Sequence, residues 1–254
     1  MSRNYELLNQ MGKSELLMDP EPHRVSAPPQ EALPEVSASA PLLQIERIAK
    51  EEITRLVQRL FMLGGAEGPR RVAFICTESG SGNTWMCAHV GDILASLVDR
   101  SVCLVDCNFR SPALHQQFVM ENQSGLADAL RGHAPIAKYA RQLRRNLWVL
   151  SCGAMAEDTQ SQLLTSDRMR LRLAELGRAF DYVLMDVPSL NSSDHGIILG
   201  SSCDGVVLVL KANSSRRESA RQALQQFQAA NIPVLGAVLN QRTFPIPEKI
   251  YKLL

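Results

Sequence analysis

The chain has 254 residues, of which 45% are hydrophobic and 21% are charged, a composition typical of a globular protein that can bury a substantial core. Its formal net charge of +1 creates no overall field that would attract nucleic acid or an acidic membrane, so we expect neither nucleic-acid binding nor direct membrane insertion. The apolar runs are far shorter than the roughly 20 residues that span a bilayer. The N-terminus lacks the apolar core of a signal peptide, and we therefore expect a cytoplasmic protein.

The N-terminal quarter of the chain divides into two predicted parts. Residues 1–41 hold six of the 13 prolines and show no sustained apolar period, which predicts a disordered or loosely attached leader. Residues 42–64 are predicted to form a docking or oligomerisation helix that ends at Gly64-Gly65. Its apolar stripe, spaced by three and four residues, consists of Leu42, Ile45, Ala49, Ile53, Leu56 and Leu60.

Residues 65–254 are predicted to form one domain with a short C-terminal tail. Apolar runs typical of buried strands occur at 72–76, 102–106, 147–150, 182–186, 206–210 and 233–239. Amphipathic segments lie between them, and Ser215-x-x-Glu218 predicts a capping box before the last of these helices. The alternation predicts an α/β fold with a doubly wound, mostly parallel sheet between two helical layers. The six cysteines are not spaced like paired zinc ligands and are predicted to be reduced, mostly buried thiols.

A glycine-rich turn joins the first strand to the next helix. It reads Thr77-Glu78-Ser79-Gly80-Ser81-Gly82-Asn83-Thr84. Backbone N–H groups of such a turn, with a helix N-terminus behind them, can cradle phosphates. Compared with G-x-x-x-x-G-K-[ST], it keeps Gly82 and Thr84 but has Asn83 in place of the lysine. Two strands end in Asp106 and Asp186, at the edge of the sheet where ligands bind, so the sequence predicts a nucleotide site there.

An ordered set of motifs resembles the bacterial tyrosine kinases (BY-kinases) of capsule and exopolysaccharide synthesis, within the MinD/ParA-like P-loop group. The resemblance covers roughly residues 45–245. The segments that carry it are VDCNFRSP (105–112), GLADALRG (125–132), 146–153, 162–166, FDYVLMDVP (180–188), 203–209 and 235–240. It implies a P-loop NTPase-like sandwich and a role in polysaccharide synthesis.

The resemblance also implies roles for individual residues. Thr84 would supply a hydroxyl ligand to Mg²⁺, Asp106 would bind the metal or orient the attacking hydroxyl, and Asp186 would hold Mg²⁺ through water. The residues that would contact ATP or ADP are Gly80, Ser81, Gly82, Asn83, Thr84, Arg110 and Asn240. Asn240 occupies the position that contacts the adenine in MinD-like relatives.

Three departures from the family pattern affect the predicted site. Asn83 replaces the phosphate-binding lysine, Asn108 replaces the second aspartate of the 105–112 motif, and Glu78 stands where MinD-like relatives carry a further lysine. The lysine neutralises charge on the β- and γ-phosphates, and the loss of one such contact costs about 10²–10³ in rate. The changes predict weak binding of Mg-ATP and a degenerate catalyst, unless another cation such as Arg110 substitutes.

Three functions follow from the resemblance. The first is a degenerate module that regulates or scaffolds exopolysaccharide synthesis and export. The second is an active Mg-ATP-dependent tyrosine autokinase with an unorthodox site, for which Tyr251 is the candidate acceptor. The third is a MinD/ParA-like positioning ATPase.

The resemblance further implies how the chain assembles with others. Its partner would be a transmembrane chain-length regulator, or co-polymerase, that recruits it to the inner membrane. The family assembles rings through an E-x-x-R-x-x-R helix, and Glu52 and Arg55 keep the first two of these positions. A homo-oligomer is therefore expected.

Overall fold

The computed structural model of the chain describes residues 47–154, 163–192 and 195–241. The predicted leader and the tail that carries Tyr251 lie outside these residues. The strands are Arg71–Cys76 (β1), Val102–Asp106 (β2), Arg141–Arg144 (β3), Leu147–Leu150 (β4), Tyr182–Asp186 (β5), Gly205–Lys211 (β6) and Val234–Asn240 (β7). The helices are Arg47–Val57 (α1), Asn83–Leu97 (α2), Leu114–Gln117 (α3), Leu126–Arg131 (α4), Asp167–Ala179 (α5), His195–Gly200 (α6) and Arg217–Ala229 (α7).

The strands form one sheet in the order β3-β4-β2-β5-β1-β6-β7. All neighbours are parallel except β3 and β4, which are antiparallel. From the central β1 the chain winds to one side through β2 and β4, and later passes back to β6 and β7 on the other side. The predicted doubly wound fold is confirmed. Ligands in such sheets bind beyond the carboxyl ends of the strands.

Two hydrophobic cores cover the two faces of the sheet. Because both faces are buried, β1 and β2 read as continuous apolar runs rather than alternating ones. The first core joins the sheet to α4, α5, α6 and α7, through side chains such as Leu126, Leu130, Leu173, Leu199 and Phe227. The second joins it to α1 and α2, through side chains such as Ile53, Val57, Val90 and Leu94. The result is the predicted three-layer sandwich.

Helix α1 packs on α2 at the second core. It continues into a π-helical turn at Gln58–Met62, and the apolar stripe buries Ile53, Val57, Leu60 and Phe61. Leu42 and Ile45 of the predicted stripe lie outside the described residues. Glu52 and Arg55 form an exposed ion pair of 2.6 Å on the opposite face. Their part in assembly remains a prediction.

Two local predictions are wrong or incomplete. The predicted capping box fails because α7 begins at Arg217, and the Ser215 hydroxyl instead accepts a hydrogen bond of 2.9 Å from the backbone N–H of Lys211. Strand β3 was not predicted, since its sequence, Arg-Gln-Leu-Arg, has little apolar content.

The prediction of reduced, mostly buried cysteines agrees with the structure: the six cysteines are free, and Cys203 is the one that is not fully buried. Within the described ranges, no helix is long and apolar enough to cross a membrane.

Candidate nucleotide site

The two strand-end carboxylates lie side by side at the carboxyl edge of the sheet. Asp106 and Asp186 are paired in register across the parallel strands β2 and β5. Strand β1 runs beside β5, and the turn that leaves it therefore begins next to Asp186. The predicted convergence of the glycine-rich turn with two carboxylates is present in the structure.

The turn between β1 and α2 is held in shape from β7. Gly80 and Gly82 both adopt a left-handed backbone, with φ of 80°, which favours glycine. The Ser81 hydroxyl donates a hydrogen bond of 2.7 Å to the carbonyl of Glu78. Asn240 donates one of 3.0 Å from its amide to the carbonyl of Ser81. Asn240 thus supports the turn, and its predicted contact with an adenine remains a prediction.

Asn83 directs its amide nitrogen into the protein rather than along the turn. Nδ2 lies 2.8 Å from the carbonyl oxygen of Phe74, 2.7 Å from Oδ1 of Asp186 and 3.1 Å from the carbonyl oxygen of Val187. The side chain is 7% exposed, and its Oδ1 has no hydrogen-bond donor among the described residues. Both N–H donors are therefore used inside the protein, and the remaining polar atom is an acceptor that cannot donate to phosphate.

Asp186 is a buried carboxyl whose ionisation is disfavoured. Burial, and to a smaller extent the negative charge of Asp106, raise the pKa of Asp186 to about 8, while hydrogen bonds from Thr84 and Asn83 act in the opposite direction. Asn83 carries no charge that would oppose these effects, whereas a lysine would. The predicted magnesium ligands Thr84 and Asp186 are therefore neighbours. In the absence of a cation, burial disfavours the ionised form of the Asp186 carboxyl.

Asp106 is engaged by the backbone of the loop that follows it. Its Oδ1 accepts a hydrogen bond of 3.0 Å from the N–H of Asn108, and its Oδ2 accepts bonds of 3.1 Å from the N–H groups of Ala113 and Leu114. Burial raises the pKa of Asp106 to about 6, and these three donors counteract the rise. Asp106 thus fixes the loop that leads into α3. Its predicted catalytic and metal-binding roles remain predictions.

A cavity of about 350 Å³ adjoins the turn on the side of β2 and β5. Its lining consists of Ser79, Asn108, Arg110, Ser111, Pro188, Ser189, Asn191 and Ser192. Arg110 is the one charged side chain in this lining, and its Nη1 lies 3.4 Å from the carbonyl oxygen of Ser192. The serines after β5 were not predicted as site residues. The signal that could have found them is the group of polar residues Ser189, Asn191, Ser192 and Ser193, which is interrupted only by Leu190, directly after the Asp186-x-Pro188 motif.

The carboxylates alone do not make a preformed metal site. Within the described ranges, no three His, Cys, Asp or Glu side chains lie close enough together to hold a metal ion. Asp106 and Asp186 supply two carboxyl groups, and Mg²⁺ commonly takes one or two carboxylates, with its other ligands from water and substrate phosphates. The arrangement therefore fits a magnesium ion that arrives with a nucleotide.

The chain has the fold of P-loop NTPase-type proteins of the MinD/ParA-like group. A family model described as cellulose biosynthesis protein BcsQ matches residues 71–232, and the chain belongs to this family. The resemblance to bacterial tyrosine kinases is also confirmed at the level of homology. The sequence motifs indicated the bacterial tyrosine kinases; they did not indicate the BcsQ family.

The curated relatives are bacterial tyrosine-protein kinases. The chain is 28% identical over 162 residues to tyrosine-protein kinase YwqD of Bacillus subtilis, covering 63% of this chain and 68% of that protein. It is 26% identical over 163 residues to tyrosine-protein kinase wzc of Salmonella typhi, covering 64% of this chain but 22% of that longer protein.

Solved structures show the same fold. The kinase domain of Escherichia coli tyrosine kinase ETK superposes with a TM-score of 0.71 at 20% identity, covering 84% of this chain and 86% of that one. Cobyrinic acid a,c-diamide synthase from Mycobacterium smegmatis, solved with a bound ATP analogue and magnesium, has a TM-score of 0.58 at 18% identity, covering 72% and 81%.

Proposed function

We propose that this chain is a kinase-like P-loop protein that regulates or scaffolds exopolysaccharide biosynthesis and export, with weak or absent ATP turnover. The observation that supports this most strongly is the position of Asn83. Its two amide hydrogens are satisfied by Phe74, Asp186 and Val187, so none is left for a phosphate. The positive charge that the kinase family has at this position is absent. The amide nitrogen of the asparagine that replaces the lysine points into the protein and away from the phosphate-binding turn.

The cost of this replacement is large on the scale of nucleotide binding. A hydrogen bond to a charged group contributes about 1.5–3 kcal/mol, which corresponds to roughly a 10- to 100-fold change in affinity. Loss of a contact that stabilises the transition state lowers the rate by a further ~10²–10³. Weak binding and negligible turnover are therefore expected together.

The rest of the site fits a nucleotide, which supports binding that is weak rather than lost. Two left-handed glycines shape the turn at the N-terminus of α2, and Thr84 and Asp186 are adjacent. Mg-ATP, when bound, would bring the phosphoryl group and the magnesium ion. Thr84 and Asp186 would hold the metal, and the N–H groups of the turn would orient the phosphates.

The proposed setting is the cytoplasmic side of the inner membrane. The family description names cellulose biosynthesis, and the relatives are named tyrosine-protein kinases. We infer that a transmembrane chain-length regulator is the partner. Homo-oligomers would form through the exposed face of α1 that carries Glu52 and Arg55, which leaves the apolar face of the helix packed on α2.

An active tyrosine autokinase is the first alternative function, and the position of Arg110 supports it. Arg110 lies at a cavity that adjoins the turn and is the cation that could replace the lysine. Under this alternative Tyr251 would accept the phosphoryl group. A MinD/ParA-like positioning ATPase is a further alternative, which would require nucleotide-dependent changes in location.

Genetic complementation tests the proposed function. Deletion of the gene should change the amount or chain length of the exopolysaccharide, and wild-type protein should restore it. Thr84→Val, which removes the implied metal ligand, should restore the polymer as well, because turnover is not needed. Complementation that fails with Thr84→Val, at equal protein level and thermal stability, would show that the function depends on nucleotide.

A further inference from the structure

The cavity beside the turn has a lining of unusual chemistry. Four serine hydroxyls and two side-chain amides surround a single guanidinium, and Pro188 is the one apolar residue of the lining. The neighbouring carboxyl groups are not part of the lining: Asp106 is fully buried under three N–H donors, and Asp186 is 1% exposed beside Asn83. Arg110 is therefore the dominant charge at this surface.

The guanidinium of Arg110 is available to a ligand. Its side chain is exposed, and within the described residues its hydrogen bond to the carbonyl of Ser192 is long, at 3.4 Å. A guanidinium has five N–H donors in a planar fork that matches the oxygens of a phosphate or carboxylate. Most of these donors are unused here, which predicts that an oxyanion binds at this end of the cavity.

The hydroxyl groups of Ser79, Ser189 and Ser192 form a chain of hydrogen bonds, here called the serine relay. Each hydroxyl hydrogen of the relay is donated within the protein. Ser192 donates to the carbonyl of Ser189 at 2.7 Å, and Ser189 donates to the hydroxyl of Ser192 at 3.1 Å. Ser79 lies 3.2 Å from the Ser189 hydroxyl and must be the donor in that pair, since the hydrogen of Ser189 is taken. Each hydroxyl oxygen retains lone-pair capacity, so this wall offers acceptors to a ligand that carries hydroxyl donors.

We propose that this cavity binds a small polyhydroxylated oxyanion, with the phosphate or carboxylate on Arg110 and hydroxyl groups on the serine relay of Ser79, Ser189 and Ser192. A sugar phosphate and a sugar acid both have this chemistry. The volume of about 350 Å³ lies at the lower end of small-molecule sites, where one such molecule fits. The inference needs no bound nucleotide, but it uses Arg110, which the resemblance also assigns to ATP, so the proposed ligand and a nucleotide would compete for this side chain.

Calorimetry with defined probes tests the proposal on the full chain. Glucose 1-phosphate, glucuronate, inorganic phosphate and glucose would each be titrated. Glucose 1-phosphate or glucuronate should bind at least tenfold more tightly than inorganic phosphate and glucose, because only they use both ends of the cavity. The proposal would be overturned if inorganic phosphate bound as tightly as glucose 1-phosphate and glucuronate. It would also be overturned if no probe bound with a dissociation constant below about 10 mM.

Four variants locate the ligand. Arg110→Gln should weaken binding of the sugar oxyanion by about 10- to 100-fold. Ser192→Ala should weaken it several-fold but leave binding of inorganic phosphate unchanged. Arg145→Gln, at an exposed arginine whose carboxylate partner is 3.6 Å away, is the matched control and should change nothing. Binding that survives Arg110→Gln but is lost in Thr84→Val would place the anion in the turn and contradict the proposal.

Discussion

The amide nitrogen of Asn83 lies 2.7 Å from Oδ1 of Asp186, so a neutral donor faces the buried carboxyl at the end of β5. A lysine there would bring a positive charge and would favour the ionised carboxylate. With asparagine, Asp186 keeps a raised pKa, and the nitrogen is held by Phe74 and Val187 as well. Asparagine in place of lysine at position 83 thus removes a positive charge from the phosphate site. It also disfavours the ionised form of Asp186, the implied metal ligand.

The pH dependence of stability should reveal the raised pKa of Asp186. Its carboxyl ionises near pH 4 in the unfolded chain but near pH 8 in the folded one. The folded state therefore binds more protons between these values, and the free energy of unfolding should fall as the pH rises from about 4 to about 8. Asp106, with a pKa of about 6, adds to the lower part of this range.

Urea titrations at several pH values, on wild type and Asp186→Asn, measure this effect. Asparagine cannot ionise, so the decline above pH 6 should be reduced in the variant. Magnesium should be omitted, because it would favour the ionised carboxylate. Identical profiles for the two proteins above pH 6 would show that Asp186 is not the group responsible.

Gly82 and Asn240 should be energetically coupled. A Cβ on Gly82 would clash with Nδ2 of Asn240, whereas one on Gly80 would meet nothing within 4 Å. Both glycines have φ of 80°, and a left-handed backbone costs a substituted residue about 1–2 kcal/mol. We expect Gly80→Ala to cost about that much, and Gly82→Ala to cost more because of the clash.

The double variant Gly82→Ala/Asn240→Ala separates the clash from the backbone strain. It should recover part of the loss seen in Gly82→Ala, giving a coupling of about 0.5–3 kcal/mol in denaturant unfolding. Additive effects of the two substitutions would mean that the turn moves away from β7 without penalty, and that Asn240 does not hold it in place.

A buried ion pair should anchor β3 to the domain. Arg144 lies 2.6 Å from Asp92 on α2, with side chains 2% and 1% exposed. Removal of one partner from such a pair leaves an uncompensated charge and costs about 3–5 kcal/mol. Asp92→Ala should therefore lower the free energy of unfolding by about this amount. Asp99→Ala, at the exposed pair with Arg145, is the control and should cost under about 1 kcal/mol.

The fold was predictable because its signals are local and redundant. Strands such as Val102–Asp106 and Tyr182–Asp186 are buried on both faces, so they appear in the sequence as apolar runs that end in a carboxylate. Strand β3 carries no such signal: it lies at the edge of the sheet, and its Arg144 is buried in an ion pair with Asp92, which is 52 residues away in the sequence. That pairing is a tertiary fact which no local pattern contains.

The sequence predicts which residues converge at the site but not the directions in which their side chains point. The motif spacing indicated that Asn83, Asp106 and Asp186 converge. It did not indicate that Asn83 faces Asp186, that three N–H groups cover Asp106, or that Asn240 supports the turn. Side-chain direction depends on which hydrogen-bond partners the folded backbone presents, and those partners come from other strands. The serines that line the cavity beside the turn have one local signal, the polar residues that follow Pro188.

Titration of Mg-ATP into wild-type protein and Asn83→Lys by calorimetry tests the central claim most directly. Wild type should bind near the millimolar range if intact relatives bind in the micromolar range, and Asn83→Lys should bind about 10- to 100-fold more tightly. Asn83→Gln, which is neutral, controls for the change in side-chain length. Adding Asn108→Asp should tighten binding further, and Glu78→Ala should add to the effect. Micromolar binding by wild type, with autophosphorylation that Asn83→Lys leaves unchanged, would contradict the account.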